Sequence, residues 1–248
     1  MTEQPPACLS HSTGGRVAFF GGSFDPPHLG HLAVARAARD ALRLDRVLFA
    51  PVGTQPLKPR GSTAPFADRV AMTSLAIADE PGFEISLADA PTPDHRPNYT
   101  LETLGILRAG LPPGGSLFCL MGADSFVSLN RWHGAAELPF VASLIVASRP
   151  GQQLDDLTRF LPRGLSLEPC TLAAAASPPS VQIELHSYLV RNPAAQVAPF
   201  HLLPNLDIEI SASEIRKQVH LSAEDLIAAR PLLPAPVADY IRTHGLYR

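Results

Sequence analysis

Arg16-Val-Ala-Phe-Phe-Gly-Gly-Ser-Phe-Asp-Pro-Pro-His-Leu-Gly-His31 is the stretch whose reading decides the fold. Its first half, Arg16 to Gly21, is a short continuous apolar run of the kind a strand buried on both faces shows. Glycine, serine, aspartate and two prolines then stop the strand. From about Leu29 to Leu42 the chain is rich in Ala and Arg and reads as a helix. A buried strand feeding a helix through a tight, glycine-led turn is the opening half of a βαβ unit.

Working outward, the pattern repeats. Arg46-Val-Leu-Phe-Ala-Pro51 is a second apolar run. A proline-rich loop then leads to a helix at about 66–79, with Phe66, Val70 and Ile77 at helical spacing. Phe83–Ser86 is a third candidate strand and 100–109 a third helix. Ser116–Met121 and Val141–Ala147 are further buried strands, and Leu206–Ile210 alternates in apolar character before short helices end the sequence. Strands alternating with helices imply an α/β, Rossmann-like, doubly wound parallel sheet with helices on both faces. In such sheets ligands bind at the carboxyl ends of the strands, near the topological switch point. The loops after the first, second and fourth strands are therefore the place to look for chemistry.

Composition narrows the field. The 248 residues carry 20 Lys+Arg against 23 Asp+Glu, a net charge of −3, and are 46% hydrophobic but 17% charged. Charge-driven disorder is excluded for the bulk of the chain, and the acidic balance argues against a protein that lives on nucleic-acid phosphates. The 26 prolines are about twice the usual share. They avoid 28–49, 66–80, 98–111, 114–138 and 205–230, so they punctuate a fold, and 150–204 reads as a proline-rich, irregular insertion with one candidate strand around Val181–Tyr188. Residues 1–15 read as a flexible leader and 16–248 as a single domain. No apolar run approaches the roughly 18 residues of a membrane span. Three cysteines far apart give neither a disulfide framework nor a zinc ribbon, and the expected setting is the cytoplasm.

The loop after the first strand carries the strongest chemical signal. Gly21 and Gly22 allow close approach of backbone to ligand, Ser23 and Phe24 complete the turn, and the helix start offers unpaired N–H groups to an anion. His28 and His31 lie one turn apart on one helix face and can donate to phosphate oxygens. In isolation such a pair reads as capping and packing; the surrounding eleven-residue string reverses that and favours phosphate binding. The glycine spacing is not that of the dinucleotide fingerprint. Ser211-Ala-Ser-Glu-Ile-Arg216 contains a capping box at Ser211 and Glu214, which leaves Ser213 and Arg216 at a second helix start. Asp124, after Met121-Gly-Ala, stands where a carboxylate can accept ribose hydroxyls or cap a helix.

The string G-G-S-F-D-P-P-H-L-G-H resembles the nucleotide-binding motif of the nucleotidyltransferases that share a fold with class I aminoacyl-tRNA synthetases. Within them it is most similar to the nicotinate-nucleotide adenylyltransferases. The resemblance covers about 16–149 and 205–248. It implies transfer of the adenylyl group of ATP to nicotinate mononucleotide, with Mg²⁺ accompanying ATP, giving deamido-NAD and pyrophosphate. His28, His31 and Arg216 would be catalytic. ATP would be bound by Gly21, Gly22, Ser23, Phe24, His28, His31, Asp124, Ser211, Ser213 and Arg216. Lys58, Thr100, Trp132 and His133 would bind the mononucleotide, Trp132 stacking on the pyridine ring. The family's I-S-S-T-x-I-R has Ala212 and Ser213 at its second serine and threonine. Its S-Y-T has Asn98 in first place, and its N-x-P-H-K has Leu57 for histidine. Alternatives are an adenylyltransferase for nicotinamide mononucleotide or phosphopantetheine, an RNA-handling relative, and a non-catalytic nucleotide-binding regulator.

Overall fold

The computed structural model describes residues 14–57, 61–94, 96–148, 157–170, 183–206, 211–221 and 232–247. Its strands are β1 (Arg16–Gly22), β2 (Arg46–Pro51), β3 (Phe83–Ile85), β4 (Ser116–Gly122), β5 (Ser143–Ala147), β6 (Ser166–Pro169), β7 (His186–Arg191) and β8 (Val197–Leu203). They form one eight-stranded sheet in the order β3-β2-β1-β4-β5-β8-β7-β6. The first six in that order run parallel, and β7 and β6 add antiparallel. The order reverses between β1 and β4, which is the switch point expected of a doubly wound sheet.

The helices are α1 (Leu29–Leu42), α2 (Phe66–Ile77), α3 (Thr100–Ala109), α4 (Ala123–Val127), α5 (Leu138–Val141), α6 (Ala212–Leu221) and α7 (Ala235–His244). The two-residue period of the strands sorts the core into two layers. Ala18, Phe20, Val47, Phe49, Phe118, Leu120 and Ile145 pack with Leu32 and Ala35 of α1, Met72 of α2, Ile215 of α6 and Ile241 of α7. Phe19, Cys119, Met121, Leu144 and Val146 face the other way, onto Leu104 of α3, Phe126 of α4 and Leu138 of α5. Apolar runs without polar alternation are what a sheet covered on both faces demands.

Two expectations are corrected. The segment 150–204 is not irregular throughout: β6, β7 and β8 lie in it and extend the sheet. Pro199 sits inside β8, an interior strand, but β8 pairs with β5 only from Phe200 onward. Its missing N–H therefore falls where β8 has a single neighbour, the arrangement proline tolerates. The strand beside β5 is β8, and of the alternating stretch 206–210, residues 207–210 lie outside the described residues. So do residues 1–13 of the expected leader. Cys119 is buried and free, whereas Cys170, just past β6, is disulfide-bonded, a bond the cysteine spacing gave no reason to expect. Among the described residues no helix is long and apolar enough to cross a membrane.

Candidate active site

The carboxyl ends of β1, β2, β4 and β5 open into one cleft of about 490 Å³, within the range of small-molecule sites. Gly21, Gly22, Ser23, Phe24, His28, His31, Thr100, Asp124, Trp132, His133, Ser211, Ser213 and Arg216 all line it. Only Lys58 of the expected set is missing, because it lies outside the described residues. Leu57, where the family pattern has histidine, is 40% exposed at the cleft edge and offers methyl groups in place of an imidazole.

The loop after β1 is held open by strain and by buried charge. Phe24 has φ +46°, a left-handed conformation rare for an aromatic residue, and its ring is buried against Phe20 and Phe49. The carboxylate of Asp25, 3% exposed, accepts from the N–H groups of Thr63 (2.6 Å) and Ala64 (3.0 Å) and from the hydroxyl of Tyr247 (2.8 Å). Burial and the neighbouring Asp25 charge push the Tyr247 hydroxyl well above its ordinary pKa. Arg69 of α2 is equally buried. Its guanidinium donates to the carbonyls of Ser23 (2.7 Å), Val52 (2.8 Å) and Ala64 (3.2 Å), tying together the segments after β1, after β2 and before α2. Burial lowers its pKa, partly offset by Asp25.

At the start of α1 the backbone N–H of His28 donates to Nδ1 of His31 at 3.2 Å, and the two rings stack with centroids 3.7 Å apart. An Nδ1 that accepts fixes the neutral tautomer of His31 with its proton on Nε2. The imidazole thus has an N–H left to donate. Across the cleft, Arg216 donates from Nη2 to the Ser213 hydroxyl at 3.2 Å and from Nη1 to the Asp25 carbonyl at 2.6 Å. The two expected anion-binding helix starts, α1 and α6, are therefore joined through Asp25.

The other end of the cleft is aromatic. Tyr99 and His133 rings lie 4.5 Å apart at 35°, and half-buried Trp132 packs on the core beneath them. Thr100 is the first residue of α3. Asn98, the departure from the family's serine, works as a staple: its side chain accepts from Thr54 N–H at 2.9 Å and donates to Ala90 O at 2.9 Å. Asp89, buried on the cleft floor, accepts from the Thr103 hydroxyl, and burial raises its carboxyl above the usual range. It also helps push the Cys119 thiol, already desolvated, up to about 12. Sequence reasoning singled out neither Asp25, Arg69, Asp89 nor Gln55, whose amide donates to the Ser23 hydroxyl at 2.9 Å. Asp25 stood inside the glycine-led string quoted above, which was a usable signal. Arg69 had none: a cation on an amphipathic helix reads as a solvated face.

A parallel sheet with a glycine-led turn and a helix start after β1, closed by a second cationic helix start from far along the chain, defines the nucleotidyltransferase class of enzyme. The cytidylyltransferase-like family model matches residues 19–218. The chain is 40% identical over 235 residues to the "Probable nicotinate-nucleotide adenylyltransferase" of Stenotrophomonas maltophilia, covering 93% of this chain and 96% of the relative. It is 36% identical to the protein of the same name from Roseiflexus castenholzii, covering 95% and 100%. The chain belongs to the nicotinate-nucleotide adenylyltransferase family. A solved structure with the same fold is Plasmodium falciparum nicotinic acid mononucleotide adenylyltransferase complexed with NaAD, at TM-score 0.66 and 16% identity over 94% of this chain and 97% of that one.

Proposed function

We propose that the protein transfers the adenylyl group of ATP to nicotinate mononucleotide, releasing pyrophosphate. The observation that carries the reading is one cleft with phosphate-type donors at one end and an aromatic pair beside a helix start at the other. In the reaction the 5′-phosphate oxygen of the mononucleotide attacks the α-phosphorus of ATP. One P–O bond forms, the bond to the bridging oxygen breaks, and pyrophosphate leaves with that electron pair. A phosphate monoester is already anionic at neutral pH, so no general base is needed. Catalysis then rests on placing two anions in line and neutralising developing charge.

The residues divide that work. The backbone of Gly21, Gly22, Ser23 and Phe24 lets the α- and β-phosphates approach. His28 and the Nε2–H of His31 donate to phosphate oxygens. Ser211, Ser213 and Arg216 hold the leaving pyrophosphate from the opposite side, and Asp124 receives the ribose hydroxyls. Trp132 stacks on the pyridine ring, with Thr100 and the backbone near His133 taking its carboxylate and Lys58 serving the mononucleotide phosphate. Among the described residues no cluster of three or more His, Cys, Asp or Glu could hold a metal ion. The donor set fits Mg²⁺ arriving with ATP, where it would screen phosphate charge. Use of ATP and a pyridine mononucleotide supports a cytoplasmic setting.

The test is pyrophosphate release from ATP with nicotinate mononucleotide, nicotinamide mononucleotide and phosphopantetheine in parallel. The acid mononucleotide is expected to be turned over fastest. Faster turnover of either of the others would replace the substrate assigned here, and no release with any of them would point to the non-catalytic regulator.

A further inference from the structure

We propose that Tyr247 is a positioning residue for this reaction: by occupying the carboxylate of Asp25, its hydroxyl keeps Arg216 available to the phosphates of ATP. The inference rests on Arg216 binding ATP as proposed above. Tyr247 lies 222 residues from Asp25 in sequence, yet their side chains meet at 2.8 Å in a buried contact. Tyr247 has φ +65°, and the residue before its contact partner, Phe24, has φ +46°. Two aromatic residues held in the left-handed region, one bonded to this carboxylate and one preceding it in the chain, mark a point where strain is tolerated for position.

The charge balance around Asp25 explains what that position does. Arg216 Nη1 donates to the Asp25 backbone carbonyl at 2.6 Å but stands 4.0 Å from the carboxylate oxygen Oδ2. It touches the carboxylate at the limit of an ion pair and does not form the bidentate fork that arginine and carboxylate favour. What holds the carboxylate back is its other donors: Oδ2 takes the Thr63 N–H, and Oδ1 takes the Ala64 N–H and the Tyr247 hydroxyl. Arg69, the other cation near Asp25, is committed to three carbonyls. Without the hydroxyl, Oδ1 keeps the Ala64 N–H but has a buried lone pair to satisfy, and Arg216, whose Nη1 stands 4.0 Å from Oδ2, is a cation able to turn toward the carboxylate. The carboxylate then competes with ATP for the guanidinium.

The experiment is a double-mutant cycle on steady-state kinetics, with folding checked by circular dichroism. Tyr247→Phe keeps the ring and removes the hydroxyl, and is expected to raise KM for ATP about tenfold, the scale of one hydrogen bond to a charged group. KM for nicotinate mononucleotide should stay within twofold. In an Arg216→Gln background the same change should add nothing further. Tyr247→His, whose ring N–H can donate to Asp25, should recover much of the loss. A Tyr247→Phe enzyme with unchanged KM for ATP, beside an Arg216→Gln enzyme that is impaired, overturns the proposal and leaves the role of Arg216 intact. An equal penalty in both backgrounds overturns it as well, since Tyr247 would then act elsewhere. An unimpaired Arg216→Gln enzyme overturns the phosphate-binding assignment itself and this inference with it. If Tyr247→Phe does not fold, Tyr247→Met is read in the same way.

Discussion

Replacing Arg69 by methionine should cost both stability and activity. The side chain is 2% exposed and makes three hydrogen bonds to carbonyls, two of them short at 2.7 and 2.8 Å. Methionine fills the space of the stem but donates nothing. A charge-assisted hydrogen bond contributes about 1.5–3 kcal/mol, and a buried acceptor left unpaired costs about 1–3 kcal/mol. Against this, removing the guanidinium removes its desolvation penalty, which burial makes real here, as the lowered pKa of Arg69 shows. The two strong bonds, less that relief, leave a net loss of about 3 kcal/mol. For a domain of this size that is about 6–12 °C in Tm. The lost bonds also loosen Ser23 against Val52, leaving the Val52 N–H to Gly22 carbonyl bond at 2.9 Å to hold the two segments, so the loop after β1 drifts. Displacement of about 1 Å can cost about 10²-fold in rate, and kcat should therefore fall even well below the melting temperature. Arg69→Lys should be nearly as damaging, because one ammonium cannot span three divergent carbonyls. Thermal unfolding and pyrophosphate release measure the two effects. A methionine variant melting within 2 °C of the parent, with unchanged kcat, would refute the reasoning.

Further outcomes are expected. His31→Ala should lower kcat about 10²–10³-fold, as loss of one transition-state donor does; an unchanged kcat in steady-state rates removes His31 from the chemistry, and His28→Ala should behave similarly. His201 is fully buried, bonded through Nδ1 to the Ser187 hydroxyl at 2.9 Å, and burial, then the charge of Arg16, lowers its pKa from 6.5 to about 4. Between those values the unfolded chain binds the proton and the folded one does not. Stability should thus be level on this account above pH 6.5 and fall as pH drops toward 4, by about 3 kcal/mol at most. Urea unfolding at pH 7 and pH 4.5 should lose that difference in His201→Gln. In Gly53→Ala the new Cβ would lie 2.5 Å from Pro91 N and 2.6 Å from Pro91 Cα, atoms of the main chain that have nowhere to go. A loss of about 1–3 kcal/mol and a raised KM for the mononucleotide are expected, and a Gly53→Ala protein as stable as the parent would show that the contact yields.

How much of this was legible in the sequence depends on whether a signal was local. α1 runs over the very residues its Ala- and Arg-rich pattern indicated, Leu29–Leu42, and α3 likewise over Thr100–Ala109. Each begins where a strand or a turn ends and carries its own spacing. The expected site residues converge because they sit at strand ends and helix starts, where a doubly wound sheet gathers them. What escaped was non-local. Nothing near Arg69 announces that Ser23, Val52 and Ala64 will offer it their carbonyls. Asp25 and Tyr247 acquire meaning only when 222 residues of intervening chain bring them together. β8 was hidden by Pro199, since a proline is tolerated there only because of which neighbour begins pairing one residue later, a fact of tertiary register.

The same strand has a consequence for how the enzyme can vary. Chain leaves the cleft at Ser148 and lines it again at Leu206, and the two crossings are stitched by bonds from Ser148 N to Leu203 O at 3.0 Å and from Leu206 N to Ser148 O at 2.9 Å. Everything between is an excursion that returns to its starting point. Lengthening or shortening that excursion changes the outer margin of the sheet, while the doorway through which the chain proceeds to Ser213 and Arg216 stays fixed. The margin made by β6 and β7 is therefore free to vary with less effect on the cleft than β8, whose Phe200, Leu202 and Leu203 are buried in the core.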